Sequence, residues 1–110
     1  MSQFEFNGQV AAITGSGRGI GREYALLLAS RGAKVLVNDL GAQIDGTGHD
    51  ANVASEVVEE IRKAGGQAVS NSSDIGTREG AAAVIDATLN AFGRIDILIH
   101  NTGSQQRAPF

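Results

Sequence analysis

Apolar runs and helical repeats alternate along this chain. Val10-Ala11-Ala12-Ile13 is an unbroken apolar run, so Val10 to Thr14 reads as a first strand. From Ile20 to Arg31 the apolar residues Ala25, Leu26, Leu28 and Ala29 fall on one face of a helix, and Gly32 supplies a left-handed stop. Lys34 to Asp39 reads as a second strand, continuous rather than alternating, and therefore covered on both faces. Leu40 to Asp50 is polar and punctuated by Gly41, Gly46 and Gly48, which predicts a loop. Asn52 to Ala64 carries Val53, Val57 and Ile61 at helical spacing and ends on Gly65-Gly66. Gln67 to Ser70 reads as a short third strand. Thr77 to Phe92 reads as a third helix stopped by Gly93, with Thr77 the best cap. Ile95 to His100 reads as a fourth strand.

Strands and helices in this alternation predict βαβ units, hence an α/β fold with a parallel, doubly wound sheet of Rossmann type. The chain has 110 residues, enough for one domain. Its 42% hydrophobic content supplies a core, and with only 5% aromatic residues that core is Val, Ile, Leu and Ala. The net charge is −3 and no basic stripe exists to neutralise a phosphate backbone, so nucleic acid is not an expected partner. There is no Cys, hence no disulfide framework or thiolate nucleophile. Asp45 and Asp50 lack metal-ligand spacing. Met1 to Phe6 has no basic start or apolar stretch like a signal peptide, and no run is long enough to span a membrane. The expected location is cytoplasmic.

The richest chemistry lies in Thr14-Gly15-Ser16-Gly17-Arg18-Gly19-Ile20-Gly21, a glycine-rich loop between a strand and a helix. In that context backbone N–H groups of the first helical turn face a dinucleotide pyrophosphate. Gly15 allows the tight turn, and Gly19 and Gly21 let the helix start approach both cofactor and strand. Ser16, Arg18 and Ile20 complete the candidate loop. Asp39 closes the second strand where an acid accepts from adenosine ribose hydroxyls, with Leu40 beside it. Its charge repels a 2′-phosphate and so favours NAD over NADP; the alternative role is a turn or helix cap. Arg18 could meet a 2′-phosphate or be solvated. Asp74 and Ile75 leave the third strand at the adenine end, where Asp74 either accepts from the amino group or caps the next helix. Asn101, Thr102 and Gly103 follow the fourth strand near the switch point, and their spacing alone equally describes a turn. His49 reads as solvated. His100 reads as hydrogen-bonded structure rather than a base.

Together these residues resemble the short-chain dehydrogenase/reductase family. Thr14 to Gly21 matches its Thr-Gly-x-x-x-Gly-x-Gly loop at every fixed position, and Asp39, Asp74-Ile75 and Asn101 to Gly103 fall where that family binds NAD. The resemblance implies a strand order of 3-2-1-4, hydride transfer between NAD(H) and an alcohol or carbonyl substrate, and a homo-oligomer at full length. One departure stands out: the family's Asn-Asn-Ala-Gly is His100-Asn101-Thr102-Gly103 here. Val37 to Gly41, the loop to Asp50, and Val57 to Ile61 further resemble the dehydrogenase domain of peroxisomal multifunctional enzymes acting on 3-hydroxyacyl-CoA. The family's catalytic Ser, its Tyr-x-x-x-Lys pair and its helix Asn find no match. The one Tyr, Tyr24, is followed four residues later by Leu28, and the only Lys residues are Lys34 and Lys63. The 110 residues are therefore expected to be the cofactor-binding part of a longer domain and inactive alone. Their fourth strand would form an open, aggregation-prone edge. A non-catalytic dinucleotide module, or another Rossmann-type enzyme such as a methyltransferase, stays open.

Overall fold

The computed structural model describes residues 5–41 and 50–101. Among the described residues four strands and three helices alternate: β1 (Val10–Thr14), α1 (Gly19–Ser30), β2 (Lys34–Asn38), α2 (Asn52–Lys63), β3 (Gln67–Asn71), α3 (Arg78–Phe92) and β4 (Ile97–His100). The strands form one parallel sheet in the order β3-β2-β1-β4, as the resemblance implied.

Side-chain alternation along the strands separates two cores. Ala11, Ile13, Val35 and Val37 face α1 and α2, where Ala25, Leu28, Val57, Val58 and Ile61 close over them. Ala12 and Leu36 point the other way and pack with Val84 of α3. The chain steps outward from β1 to β3 with helices on one face. It then crosses back to β4, and the single hand of βαβ crossovers puts α3 on the opposite face. The direction of stepping reverses between β1 and β4, so the crevice of a doubly wound sheet opens at the C-terminal ends of these two strands.

The helices begin and end for local reasons. Gly32, at φ +98°, terminates α1, and Gly93, at φ +81°, terminates α3; both lie in the left-handed region that a side chain disfavours. Thr77 caps α3, its hydroxyl accepting from the Gly80 amide at 2.9 Å. Arg22 on α1 reaches Glu60 on α2 at 2.5 Å, an exposed pair worth about 0–1 kcal/mol.

Several boundaries shift by a residue from the pattern's expectation, and two of the shifts bear on the site and the sheet edge. β2 ends at Asn38, so Asp39 sits just outside the strand, although its N–H still bonds the Asn71 carbonyl at 3.0 Å. β4 starts at Ile97 rather than Ile95. Asp96 interrupts the ladder there: its carboxylate accepts from the Val10 N–H at 2.8 Å and from Arg94 at 2.5 Å. Arg94, and then the Val10 amide, hold the Asp96 carboxyl below the usual carboxylate range. A depressed folded value stabilises the fold above the unfolded value, and the gain is lost as pH falls through the folded one. Asp96→Ala should therefore lower Tm at pH 7, with the gap to wild type closing below about pH 4 in thermal melts. β4 is the sheet edge, and Leu98 on it is 58% exposed.

Candidate dinucleotide site

The candidate residues converge where β1, β2, β3 and β4 end. Gly15 leaves β1 at φ +64°, turning the chain sharply. Ser16 is fully buried, and its polar hydrogens point inward. Its N–H donates to the Asn38 carbonyl at 2.9 Å and its hydroxyl to the Ile13 carbonyl at 2.7 Å. In return the Asn38 N–H donates to the Ser16 hydroxyl at 3.1 Å. Ser16 thus pins the loop to β1 and β2, with both of its polar hydrogens engaged by strand carbonyls.

Gly17, which the motif leaves unspecified, donates its N–H to Asp39 Oδ2 at 2.9 Å. A Cβ there would run into Val53 and the Asp39 carboxylate, so the site requires glycine for packing. Asp39 Oδ1 accepts from the Gly41 N–H at 2.8 Å. The half-buried carboxylate thus lies across the mouth of the loop, held by two backbone donors. Of the roles read from the sequence, the turn is the one these two bonds show. Leu40 beside it is half-buried.

Gly19 and Gly21 occupy opposite sides of the loop. Gly19, at φ +58°, has nothing within 4 Å of a would-be Cβ. Gly21 is buried, and a Cβ there would strike the Gly15 carbonyl and lie 2.6 Å from Asn101 Nδ2. The first helical bond of α1 runs from the Arg22 N–H to the Arg18 carbonyl, so the amides of Gly19, Ile20 and Gly21 belong to the first turn. No side chain caps α1 and no acidic residue lies in that turn. Arg18 is the N-cap residue, exposed, and Ile20 is 64% exposed beside it. First-turn N–H groups without a side-chain cap, beside the open space at Gly19, can receive an anion such as pyrophosphate.

The far wall comes from β3 and β4. Asn38, buried, donates from Nδ2 to Asn71 Oδ1 at 2.9 Å and to the Ser73 carbonyl at 3.1 Å, fixing the exit of β3. Ser73 N–H completes the knot on Asn71 Oδ1 at 2.9 Å. The sequence signal for this knot is an Asn closing an apolar strand, because a buried amide must find partners. Asp74 Oδ1 accepts from the Gly76 N–H at 2.8 Å in a local turn, and Thr77 rather than Asp74 caps the helix. Ile75 packs against the Ala12, Leu36 and Val84 cluster. Asn101 donates from its backbone to Thr14 Oγ1 at 3.0 Å and from Nδ2 to the Gly15 carbonyl at 3.2 Å, tying β4 to the loop. Thr102 and Gly103 lie outside the described residues, as do Asp45 and His49. Tyr24 is exposed on α1, while Lys34 opens β2 and Lys63 closes α2, at the sheet end away from the site.

A profile of the short chain dehydrogenase family matches residues 9–110. Peroxisomal multifunctional enzyme type 2 of Drosophila melanogaster is 52% identical over 101 residues, covering 92% of this chain and 16% of that protein. The 7alpha-hydroxysteroid dehydrogenase of Escherichia coli K12 is 38% identical over 104 residues, covering 94% of this chain and 37% of that protein. The solved structure of 7 alpha-hydroxysteroid dehydrogenase with NADH and 7-oxo glycochenodeoxycholic acid superposes at a TM-score of 0.82. It is 37% identical and covers 96% of this chain and 38% of its own. The chain thus spans well under half of the relatives it matches.

Proposed function

We propose a function from one premise: the chain belongs to the short-chain dehydrogenase/reductase family, a family of oxidoreductases. In our reading it supplies the NAD-binding part of an enzyme that moves hydride between NAD(H) and an alcohol or carbonyl substrate. The observation that carries the reading is the uncapped first turn of α1, open above Gly19 and flanked by the Asp39 carboxylate.

The residues present fit such a dinucleotide. The N–H groups of Gly19, Ile20 and Gly21 face the pyrophosphate. Asp39 accepts from the adenosine ribose hydroxyls while keeping its two backbone donors. Ile75 and Asp74 flank the adenine, and Asn101 lines the way to the nicotinamide ribose. Arg18 stands at the rim. When bound, the dinucleotide supplies or accepts the hydride. What this chain's own residues do is grip, orient and select. The Ser, Tyr and Lys of the family's centre have no counterpart here, so the 110 residues alone are inactive in this reading. The rival reading, a dinucleotide module with no catalytic partner residues, is distinguished by hydride transfer in the intact protein. The methyltransferase alternative falls with the family assignment.

The choice of NAD over NADP rests on Asp39. Asp39→Asn keeps the shape and one acceptor, removes the charge and gives up one of the two backbone bonds. The ratio of NADPH to NADH dissociation constants should fall about tenfold to a hundredfold in the intact protein, because a carboxylate no longer faces the 2′-phosphate. Fluorescence titration with each nucleotide reads this ratio; an unchanged ratio removes Asp39 from the ribose site.

A further inference from the structure

Asn38 closes the apolar strand β2 with 1% of its surface exposed. A carboxamide gives up its water on burial and must find partners inside. Those partners lie beyond the sheet ladder. Asn38 is paired in register with Asn71, and the Asp39 N–H carries the ladder on to the Asn71 carbonyl at 3.0 Å. β3 ends at Asn71, so the ladder stops there. The Asn38 side chain reaches further. Its Nδ2 lies 2.9 Å from Asn71 Oδ1 and 3.1 Å from the Ser73 carbonyl, two residues past the strand. Backbone groups settle the direction of these bonds. The Ser73 N–H can only donate, so the Asn71 atom 2.9 Å from it is the carboxamide oxygen. The Ser73 carbonyl can only accept. Facing these two acceptors, Asn38 presents its NH2.

The main chain of the same residue faces the other way, toward the glycine-rich loop. Its carbonyl accepts the Ser16 N–H at 2.9 Å, and its N–H donates to the Ser16 hydroxyl at 3.1 Å. Asn38 thus holds the loop with its backbone and the exit of β3 with its side chain. β3 is an edge of the sheet, so among the described residues no further strand steadies that exit from outside. Downstream, the start of α3 provides a second anchor. There Thr77 donates to the Asp74 carbonyl from its N–H at 3.2 Å and from its hydroxyl at 2.9 Å. Asp74 and Ile75 form a short bridge between Ser73 on the sheet side and Thr77 on the helix side.

We propose that Asn38 is a positioning residue for the adenine end of the dinucleotide site: its carboxamide holds Ser73 and thereby sets where Asp74 and Ile75 stand against the base. The proposal rests on the dinucleotide reading of the site. Being buried, Asn38 acts through that wall rather than on the nucleotide. Without its NH2 the Ser73 carbonyl is left without this donor and turns toward water, and the exit of β3 moves with it. The bonds to Ser16 are made by backbone and stay. The loss therefore falls on the adenosine half and spares the pyrophosphate loop.

The test uses the intact protein and two variants that cut the knot from opposite strands. Asn38→Leu keeps the volume and the backbone bonds to Ser16 and removes the NH2. Asn71→Ala removes the acceptor from the half-buried partner, and it carries the test if the buried substitution impairs folding. Leu28→Ala is the control. It opens the core beneath the last turns of α1, where the Leu28 carbonyl bonds Ala33 before β2, at the sheet end away from the site. The readouts are amide hydrogen exchange over 72–76 without nucleotide, and the dissociation constants of NADH and of AMP, the latter by displacement of NADH. In both knot variants exchange over 72–76 should accelerate about tenfold. Both dissociation constants should rise by about the same tenfold, the scale of one hydrogen bond, because AMP carries the whole of the affected contact. Leu28→Ala should lower Tm and leave both constants unchanged. Knot variants that bind AMP and NADH as tightly as wild type overturn the proposal, and so does unchanged exchange over 72–76. An equal loss of AMP affinity in Leu28→Ala also overturns it, since the effect is then one of general stability. Wild type that binds neither NADH nor AMP sinks the dinucleotide reading itself, and the proposal falls with it.

Discussion

Gly19→Asn is expected to weaken NADH binding at least about a hundredfold in the intact protein while moving Tm by only a few degrees. Gly19 sits at φ +58°. Asparagine is among the few residues that tolerate this region, so the strain is about 1 kcal/mol. Nothing in the protein lies within 4 Å of the new Cβ. A glycine needed only for its turn would therefore be replaced at little loss. A glycine needed for what lies outside it would not. The Asn side chain projects into the space over the first-turn amides, where the pyrophosphate must approach backbone to gain its hydrogen bonds. A hundredfold loss corresponds to about 2.7 kcal/mol, a plausible toll for displacing a charged ligand from several N–H groups. Titration of NADH fluorescence and a thermal melt read the two effects separately. Retained affinity would reduce Gly19 to a turn residue.

Gly21→Ala should do the reverse, destabilising the protein by about 2 kcal/mol or more and lowering Tm by roughly 5–10 °C. The sign is what makes the test sharp. Gly21 lies inside α1, where Ala is favoured over Gly by about 1 kcal/mol, so a helix free of tertiary constraint would gain stability. Here the added methyl collides with the Gly15 carbonyl and with Asn101 Nδ2. The carbonyl is backbone and is itself held by Asn101, so it does not swing aside. Overpacking of this kind costs about 1–3 kcal/mol before any loss of the Asn101 bond is counted. A thermal melt showing equal or higher Tm would mean that the helix start and β1 are not in contact. Together the two substitutions separate the side of the loop that faces ligand from the side that faces protein.

The fold was legible because each element announces itself locally. Val10 to Ile13 and Val35 to Val37 are apolar on both faces, and both are fully covered by helices. Gly32 and Gly93 stop helices where the pattern puts their ends. The misplaced start of β4 has a cause that periodicity does not register. Ile95 and Ile97 alternate correctly around Asp96, but the Asp96 carboxylate takes the Val10 amide and the regular ladder begins one residue later. Within the candidate site, glycine spacing located the loop and strand-end position located Asp39. Ser16 has a structural part that the sequence does not show. A serine in a phosphate-binding loop looks like a ligand, yet its partners are carbonyls of strands that only the fold brings near. Gly17 and Asn38 went unmarked because their partners, Asp39 and Asn71, meet them only across the sheet.

The most direct measurement is an equilibrium titration of the intact protein with NADH and with NADPH under the same conditions. The account predicts saturable NADH binding, with NADPH at least about tenfold weaker because the Asp39 carboxylate faces the 2′-phosphate. Absence of saturable binding to either nucleotide, or tighter binding of NADPH, would contradict it.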